Sequence, residues 1–309
     1  MTATSATAAT TSARKLTWTR RRRSVARIWK QFAANRAGLV GLIILVVVGL
    51  LAILAPVLSN ADGLDVTKVN GPLLSGPTAG YLLGTDNNGR SVLLLLWWGA
   101  RISLFVGLTA ALLTVVIGTV VGLISAHFGG WLAAVLMRIT DFFLVMPSLV
   151  LAIALGAVLT HGEVTIVVAL ALTSWPTSAR IVRAQTLTVE TRPYIERSRA
   201  LGAGHWHVLG KHVLPAVMPL VLANATLTVA GSIIGESTLT FLGLGDPTQV
   251  SWGGMLDDAW KTGAVSASAW WFLLPPGLAI VVVVLAFTLC GRALEAVLSP
   301  GMRTRAGKK

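Results

Sequence analysis

Long apolar runs separated by short polar stretches organise this chain. Six are long enough to cross a bilayer: residues 39–58, 102–125, 140–160, 164–183, 217–242 and 272–291. The first, Leu39 to Leu58, holds about 20 residues and reaches across roughly 30 Å of hydrocarbon at 1.5 Å per residue. It exceeds the hydrophobic region of a secretory leader, about 7–15 residues, so an uncleaved first span is expected. The runs are continuous rather than alternating, which predicts helices and not the strands of a barrel. Helices also pair their backbone groups internally, as lipid demands. The predicted fold class is an all-α membrane protein with six transmembrane helices. Only His161-Gly162-Glu163 separate the third and fourth runs, predicting a tight hairpin. Pro147 and Pro176 fall within or near the ends of those two runs, where each removes a donor and can kink its helix.

Composition agrees with lipid. Charged residues are 12% of the chain, against about 25% in a soluble domain. The net charge of +13 would suit nucleic acid or an anionic membrane surface, and its distribution decides between them. With both termini in the cytoplasm, all but four of the 25 Lys and Arg fall on that side; the exceptions are Lys68, Arg90, Arg101 and Lys261. That is the positive-inside pattern, and it explains the charge without nucleic acid. Arg20-Arg21-Arg22-Arg23 reads as a topogenic, lipid-attracting cluster. Trp97, Trp98, Trp270 and Trp271 mark the outer ends of spans two and six. Val25, Ile28, Trp29 and Phe32 recur at helical spacing among Arg27, Lys30 and Gln31, predicting an interfacial helix before span one. The expected organisation is a basic cytoplasmic tail (1–38), the first span (39–58), an outside segment (59–98), a five-helix membrane domain (99–292) with a cytoplasmic loop at 185–215, and a cytoplasmic tail (293–309).

Catalytic patterns are missing from the sequence. The five histidines, His127, His161, His205, His207 and His212, have no cysteine or carboxylate at metal-ligand spacing, so no metal site is expected. The single cysteine, Cys290, lies in an apolar run and reads as a small hydrophobe. The segment Gly204 to His212 has five residues between its glycines, and His follows Lys where a phosphate loop needs Ser or Thr. Any ATP that drives this protein must bind another subunit. Of 12 acidic residues, Asp141 and Glu236 are the two at or within spans, thin support for ion coupling by a secondary transporter.

Two motifs carry more. Arg192-Pro193-Tyr194-Ile195-Glu196-Arg197-Ser198-Arg199-Ala200-Leu201-Gly202-Ala203 runs on to Leu214-Pro215. Pro at an early position starts a short helix. Gly202 breaks it where the chain needs positive φ. A second helical stretch with Val208 and Leu209 follows. Two short helices joined by a glycine make a knob suited to a partner's groove, although a plain connecting loop fits the same pattern. On the other side, Gly84-Thr85-Asp86-Asn87-Asn88-Gly89-Arg90 precedes span two and reads as tight turns.

With Glu196, Gly202, Leu214 and Pro215 in register, the first motif resembles the EAA loop of permease subunits in binding-protein-dependent ABC importers. Arg197 and Ser198 stand where that family prefers alanine. The second resembles the Gly-Thr-Asp-x-x-Gly-Arg signature of C-type permeases in dipeptide, oligopeptide and nickel importers. Gly235-Glu236-Ser237 through Gly245, with Ser251-Trp252-Gly253, is similar to the same branch. The resemblance covers residues 83–291. It implies a type I ABC importer permease fold in a prokaryotic inner (plasma) membrane. It implies partners too: a second, related permease, two ATPase subunits that use ATP and Mg, and an extracytoplasmic solute-binding protein. No cofactor is expected on this chain. Glu196, Ala200, Leu201, Gly202, Ala203, Leu214 and Pro215 would form the ATPase-coupling loop. Gly84, Thr85, Asp86, Gly89 and Arg90 would form the outer signature, either touching the binding protein or holding a turn. Glu236 would line the path, meet the second permease or satisfy a neighbouring helix. Arg180, Arg183 and Arg199 would hold the loop by charge or serve only as positive-inside anchors. The expected solute is a di- or oligopeptide. Nickel chelates, a stand-alone secondary transporter and a membrane-anchored assembly protein stay as alternatives.

Overall fold

A computed structural model of the protein describes residues 26–298. Val25, the Arg20–Arg23 cluster and the basic tail beyond residue 298 lie outside the described residues. The elements are α1 (26–33), α2 (Arg36–Leu58), α3 (Val92–His127), α4 (Gly130–Val145), α5 (Ser148–Val158), α6 (Glu163–Glu190), α7 (Pro193–Ala200), α8 (His205–Val208), α9 (Leu214–Phe241), α10 (Trp252–Lys261) and α11 (Trp270–Leu298). Among the described residues no strand forms. Five helical stretches are long and apolar enough to cross a membrane, and α4 with α5 makes a sixth if that bent pair is one span.

The helices outrun the apolar runs that predict them. The second run begins at residue 102, yet α3 starts at Val92; the last ends at 291, yet α11 continues to Leu298. Hydropathy stops at the first charge, whereas a helix continues for as long as its backbone ladder is satisfied. The boundaries drawn at 98 and 292 therefore fall inside α3 and α11.

The third run is the correction. Residues 140–160 read as one span, but the chain bends by 89° between α4 and α5. The cause is local. Pro147 pushes the residue before it out of the helical region, and Met146 takes ψ 132°. Pro176 lies inside α6, which stays continuous.

Packing follows small residues. Gly118 and Gly122 sit one turn apart on α3, against α6. A Cβ on Gly118 would lie 2.6 Å from Ser178 Cβ, and one on Gly122 would lie 2.7 Å from the Ala179 carbonyl oxygen. Such small-residue faces let membrane helices approach closely. Gly38 and Gly41 of α2 play the same part toward Ala293 and Ala286 of α11. The opposite flanks are apolar and open: α2 exposes Val40, Ile43, Val47 and Leu50, and α11 exposes Leu278, Val281 and Leu285. In a membrane that surface meets lipid. Helix α1 tucks Phe32 against Cys290 and Ala293 while Trp29 stays half exposed.

Two clusters mark the two ends of the bundle. At one, Val92, Leu95, Trp252, Met255 and Phe272 gather the start of α3, α10 and the start of α11. At the other, Val182, Val189, Ile195, Val208, Val213 and Val217 join the end of α6 to α7, α8 and the start of α9.

Candidate functional site

The knob is built as local rules dictate. Pro193 opens α7 at its first position. Gly202 takes φ +86°, the Ala203 N–H donates to the Ser198 carbonyl (3.1 Å), and the Gly202 N–H donates to that of Arg199 (2.9 Å). This pair of bonds is the Schellman closure of a helix C-terminus. After α8 the chain makes one π turn over Leu209–Val213 and enters α9 at Leu214-Pro215.

The root and crest of the knob differ. Ile195, Val213 and Val217 are fully buried and Val208 nearly so. Leu201 is 82% exposed and Trp206 73% exposed, with Glu196, Ala200 and Gly202 exposed beside them. Ala203 and Leu214 are half-buried, and Pro215 is exposed. The predicted loop residues therefore assemble on one protrusion, with an apolar crest held on a buried apolar root.

A polar cluster fixes the knob to the bundle. His127, at the end of α3, places Nδ1 2.5 Å from Glu190 Oε1 at the end of α6. Its Nε2 lies 3.0 Å from His205 Nδ1 on α8. Arg199 of α7 donates to Glu190 Oε2 at 3.0 Å. The side chain of His127 is buried and that of Glu190 is half-buried. Sequence spacing misses this set because His127 and Glu190 are 63 positions apart. Of the three arginines singled out from the sequence, Arg199 holds the knob, while Arg180 pairs with Asp141 of α4 at 2.6 Å. The Nε of Arg183 is buried without a hydrogen bond among the described residues.

The signature loop lies at the other end and engages most of its polar groups within the chain, although the Asn87 Oδ1 is buried without a hydrogen bond among the described residues. Asp86 is fully buried; its carboxylate accepts from the backbone N–H of Asn88 (2.9 Å) and Arg90 (2.7 Å) and from Arg90 Nε (2.7 Å). Thr85 accepts from the Ser75 N–H and donates to the Pro72 carbonyl. Gly84 and Gly89 have positive φ, and a Cβ on either would lie 2.5 Å from a backbone oxygen. Asp86 and Arg90 thus brace the turn through three hydrogen bonds. Arg90 also lies 3.8 Å from Asp258 of α10, at the edge of a groove of about 1140 Å³. Burial pushes the Asp258 carboxyl above the usual range, and the Arg90 guanidinium opposes that rise.

Glu236 lies inside the bundle, 1% exposed. Ser237 Oγ donates to it at 3.1 Å and Thr240 Oγ1 at 3.3 Å. The neighbouring Trp252 N–H donates to Ser103 Oγ, and Gly253 fits against the Ser237 backbone, where a Cβ would lie 2.5 Å from its carbonyl. The stretch 235–245 and Ser251-Trp252-Gly253 thus form one interlocked joint between α3, α9 and α10. Glu236 lies buried within that joint.

Residues 118–304 match the family model described as binding-protein-dependent transport system inner membrane component. Residues 25–74 match the N-terminal TM domain of oligopeptide transport permease C, so the similarity reaches further toward the N-terminus than residues 83–291. The chain is 37% identical over 281 residues to the oligopeptide transport system permease protein OppC of Bacillus subtilis, covering 89% of this chain and 90% of that one. It is 36% identical over 278 residues to the dipeptide transport system permease protein DppC of the same organism, covering 89% and 85%. Against the glutathione transport system permease protein GsiD of Pectobacterium atrosepticum it is 34% identical, covering 90% of each. Among solved structures, a chain of the MetNI methionine ABC transporter superposes with a TM-score of 0.55 at 24% identity, covering 67% of this chain and 97% of that one.

Proposed function

The chain belongs to the family of binding-protein-dependent transport system inner membrane components, and we infer that it forms, with a second and related permease, the route by which an ATP-driven importer moves peptides across the membrane. Membership decides against a stand-alone secondary transporter and against a purely structural anchor. The peptide and glutathione permeases among its relatives favour peptides over nickel chelates.

The observation that carries the mechanism is the knob's unsatisfied crest. Leu201 and Trp206 present apolar surface beyond a root that is completely buried. Exposed apolar patches rimmed by charge mark interaction sites. Two ATPase subunits take this crest into a groove, and ATP and Mg act on them, not on this chain. Both termini then face the cytoplasm, and a solute-binding protein delivers peptide at the opposite end, beside α10. When the ATPases close, α7 and α8 move with the ends of α3 and α6, because the His127–Glu190–Arg199–His205 cluster ties them together. The bundle then rocks as a unit.

Leu201→Glu tests this. The side chain is open to solvent, so the substitution leaves folding intact. The assembled importer is expected to lose its ATPase subunits on purification, and peptide uptake is expected to fall on the order of a hundredfold, as for a central interface anchor. Wild-type uptake with the ATPases retained, or labelling of Leu201→Cys by an impermeant thiol reagent from outside the cell, overturns the reading.

A further inference from the structure

Between the broken span and helices α6 and α9 lies a cleft of about 510 Å³. Its wall contrasts with the apolar flanks of α2 and α11. Ser174 and Thr177 of α6, Asn224, Thr228 and Ser232 of α9, and Ser148 at the start of α5 line it. Its other lining residues add no ionisable side chain. The nearest charges along α4 and α6, Asp141 and Arg180, are paired with each other.

A wall like this does not suit lipid. Polar side chains turned to hydrocarbon are costly, so in membrane proteins they face an interior or a water-filled passage. Several groups here have spare bonding capacity. Asn224 donates its amide to Ser178 at 3.0 Å and to Thr228 Oγ1 at 3.5 Å, and no bond to its side-chain oxygen forms among the described residues. Ser232 is 5% exposed, borders the cleft, and its hydroxyl makes no hydrogen bond among the described residues. Helix α5, 11 residues long, starts at this wall without a side-chain cap. The free N–H groups of its first turn are further donors. A broken helix of this kind is tolerated at membrane depth where it borders a cavity.

We propose that this cleft is the stretch of solute path contributed by this chain, and that it takes a peptide by its main-chain amides rather than by its side chains. The proposal rests on the permease reading above. Hydroxyls and a carboxamide donate and accept, so they match both the N–H and the C=O of any peptide bond. A wall without charge neither attracts nor repels acidic or basic side chains. Weak neutral contacts at several points also let a solute move on, which conduction requires.

The test uses the complete importer in proteoliposomes with saturating binding protein and tripeptides of acidic, neutral and basic character. Thr177→Asp and Asn224→Asp place a charge on the wall. Each is expected to raise the ratio of basic to acidic peptide uptake on the order of tenfold. Thr177→Cys and Thr228→Cys, each in a Cys290→Ala chain, are expected to react with a water-soluble thiol reagent and to be shielded by transported peptide. An unchanged charge ratio overturns the proposal. So does inaccessibility of both cysteines, or their cross-linking to the second permease, which would make the cleft a seat for that subunit's helix. Failure of the permease reading is distinct: it would show as hydrolysis uncoupled from this chain altogether, whatever the charge on the wall.

Discussion

The knob at one end of the bundle and the signature loop at the other are both short, both turned by glycines at positive φ, and both read from the sequence as motifs. Their chemistry is opposite. The signature loop closes on itself: Asp86 is buried with both oxygens engaged, and Thr85 bonds on two sides. The knob closes only at its root and leaves Leu201 and Trp206 open. A motif whose buried carboxylate and hydroxyl are engaged by its own chain holds shape, even with the Asn87 Oδ1 left unpaired among the described residues. A motif that keeps apolar surface uncovered on a rigid base leaves that surface free for a partner. On the function proposed above, that difference is the one between a motif that holds shape and a motif that makes contact.

Asp86→Ala is expected to have the largest effect. It strands the mostly buried Arg90 guanidinium and two backbone donors. Removing one partner of a buried pair costs about 3–5 kcal/mol. A large fall in melting temperature and in yield of the assembled importer is expected, read by thermal scanning in detergent. If the protein folds normally but loses only its response to the binding protein, Asp86 is a docking residue and the contrast fails.

Next is the cluster behind the knob. His127→Ala leaves Glu190 with Arg199 alone and removes the bridge to His205. The expected cost is about 1–3 kcal/mol, that of a buried polar group deprived of its partner. The functional sign is more telling: ATP hydrolysis is expected to persist while peptide moved per ATP falls, because the crest still docks but its base yields. Equal loss of both would place His127 in ATPase binding rather than in transmission.

How far the sequence reveals this structure depends on whether the cause is local. Pro193 at the start of α7 and Gly202 at its end act through their own backbones, so the knob is legible from residue types. The broken third span is not, since hydropathy runs unbroken through Met146-Pro147. Pro176 carries the same warning and yields a continuous helix. The two differ in support. The backbone around Pro176 is pressed against Gly118 and Gly122 of α3, which keeps α6 continuous. Around Pro147, Phe142, Val145, Leu149 and Val150 are exposed, and nothing resists the bend. The His127–Glu190 contact and the cleft at Asn224 are illegible for a third reason: they join segments that only the folded bundle brings together.

Gly202→Ala sharpens the comparison from the knob's side. There is open space around the glycine, so only the left-handed backbone resists a methyl group. A non-glycine residue there costs roughly 1–2 kcal/mol. A modest drop in melting temperature with partial loss of coupling is expected. The same change at Gly89, where a Cβ would lie 2.5 Å from the Gly71 carbonyl, should be worse, because strain and collision add. Equal melting temperatures for the two variants would mean that the signature loop yields more readily than its closed bonding implies.

The smallest effect concerns Asp258, whose pairing with Arg90 joins the signature loop to α10. Burial raises the Asp258 carboxyl above its ordinary 3.8, with Arg90 opposing. A raised carboxyl favours the protonated form in the fold. Its contribution is therefore fully present below the unfolded value and is lost as pH rises through the folded one. With its side chain 51% exposed, solvent screens much of this, so the effect should fall below that of Gly202→Ala. Melting temperature followed from pH 4 to pH 7 should decline slightly more in wild type than in Asp258→Asn. The opposite order would mean that the Arg90–Asp258 attraction outweighs burial, and that the signature loop is tied to α10 by charge as well as closed on itself.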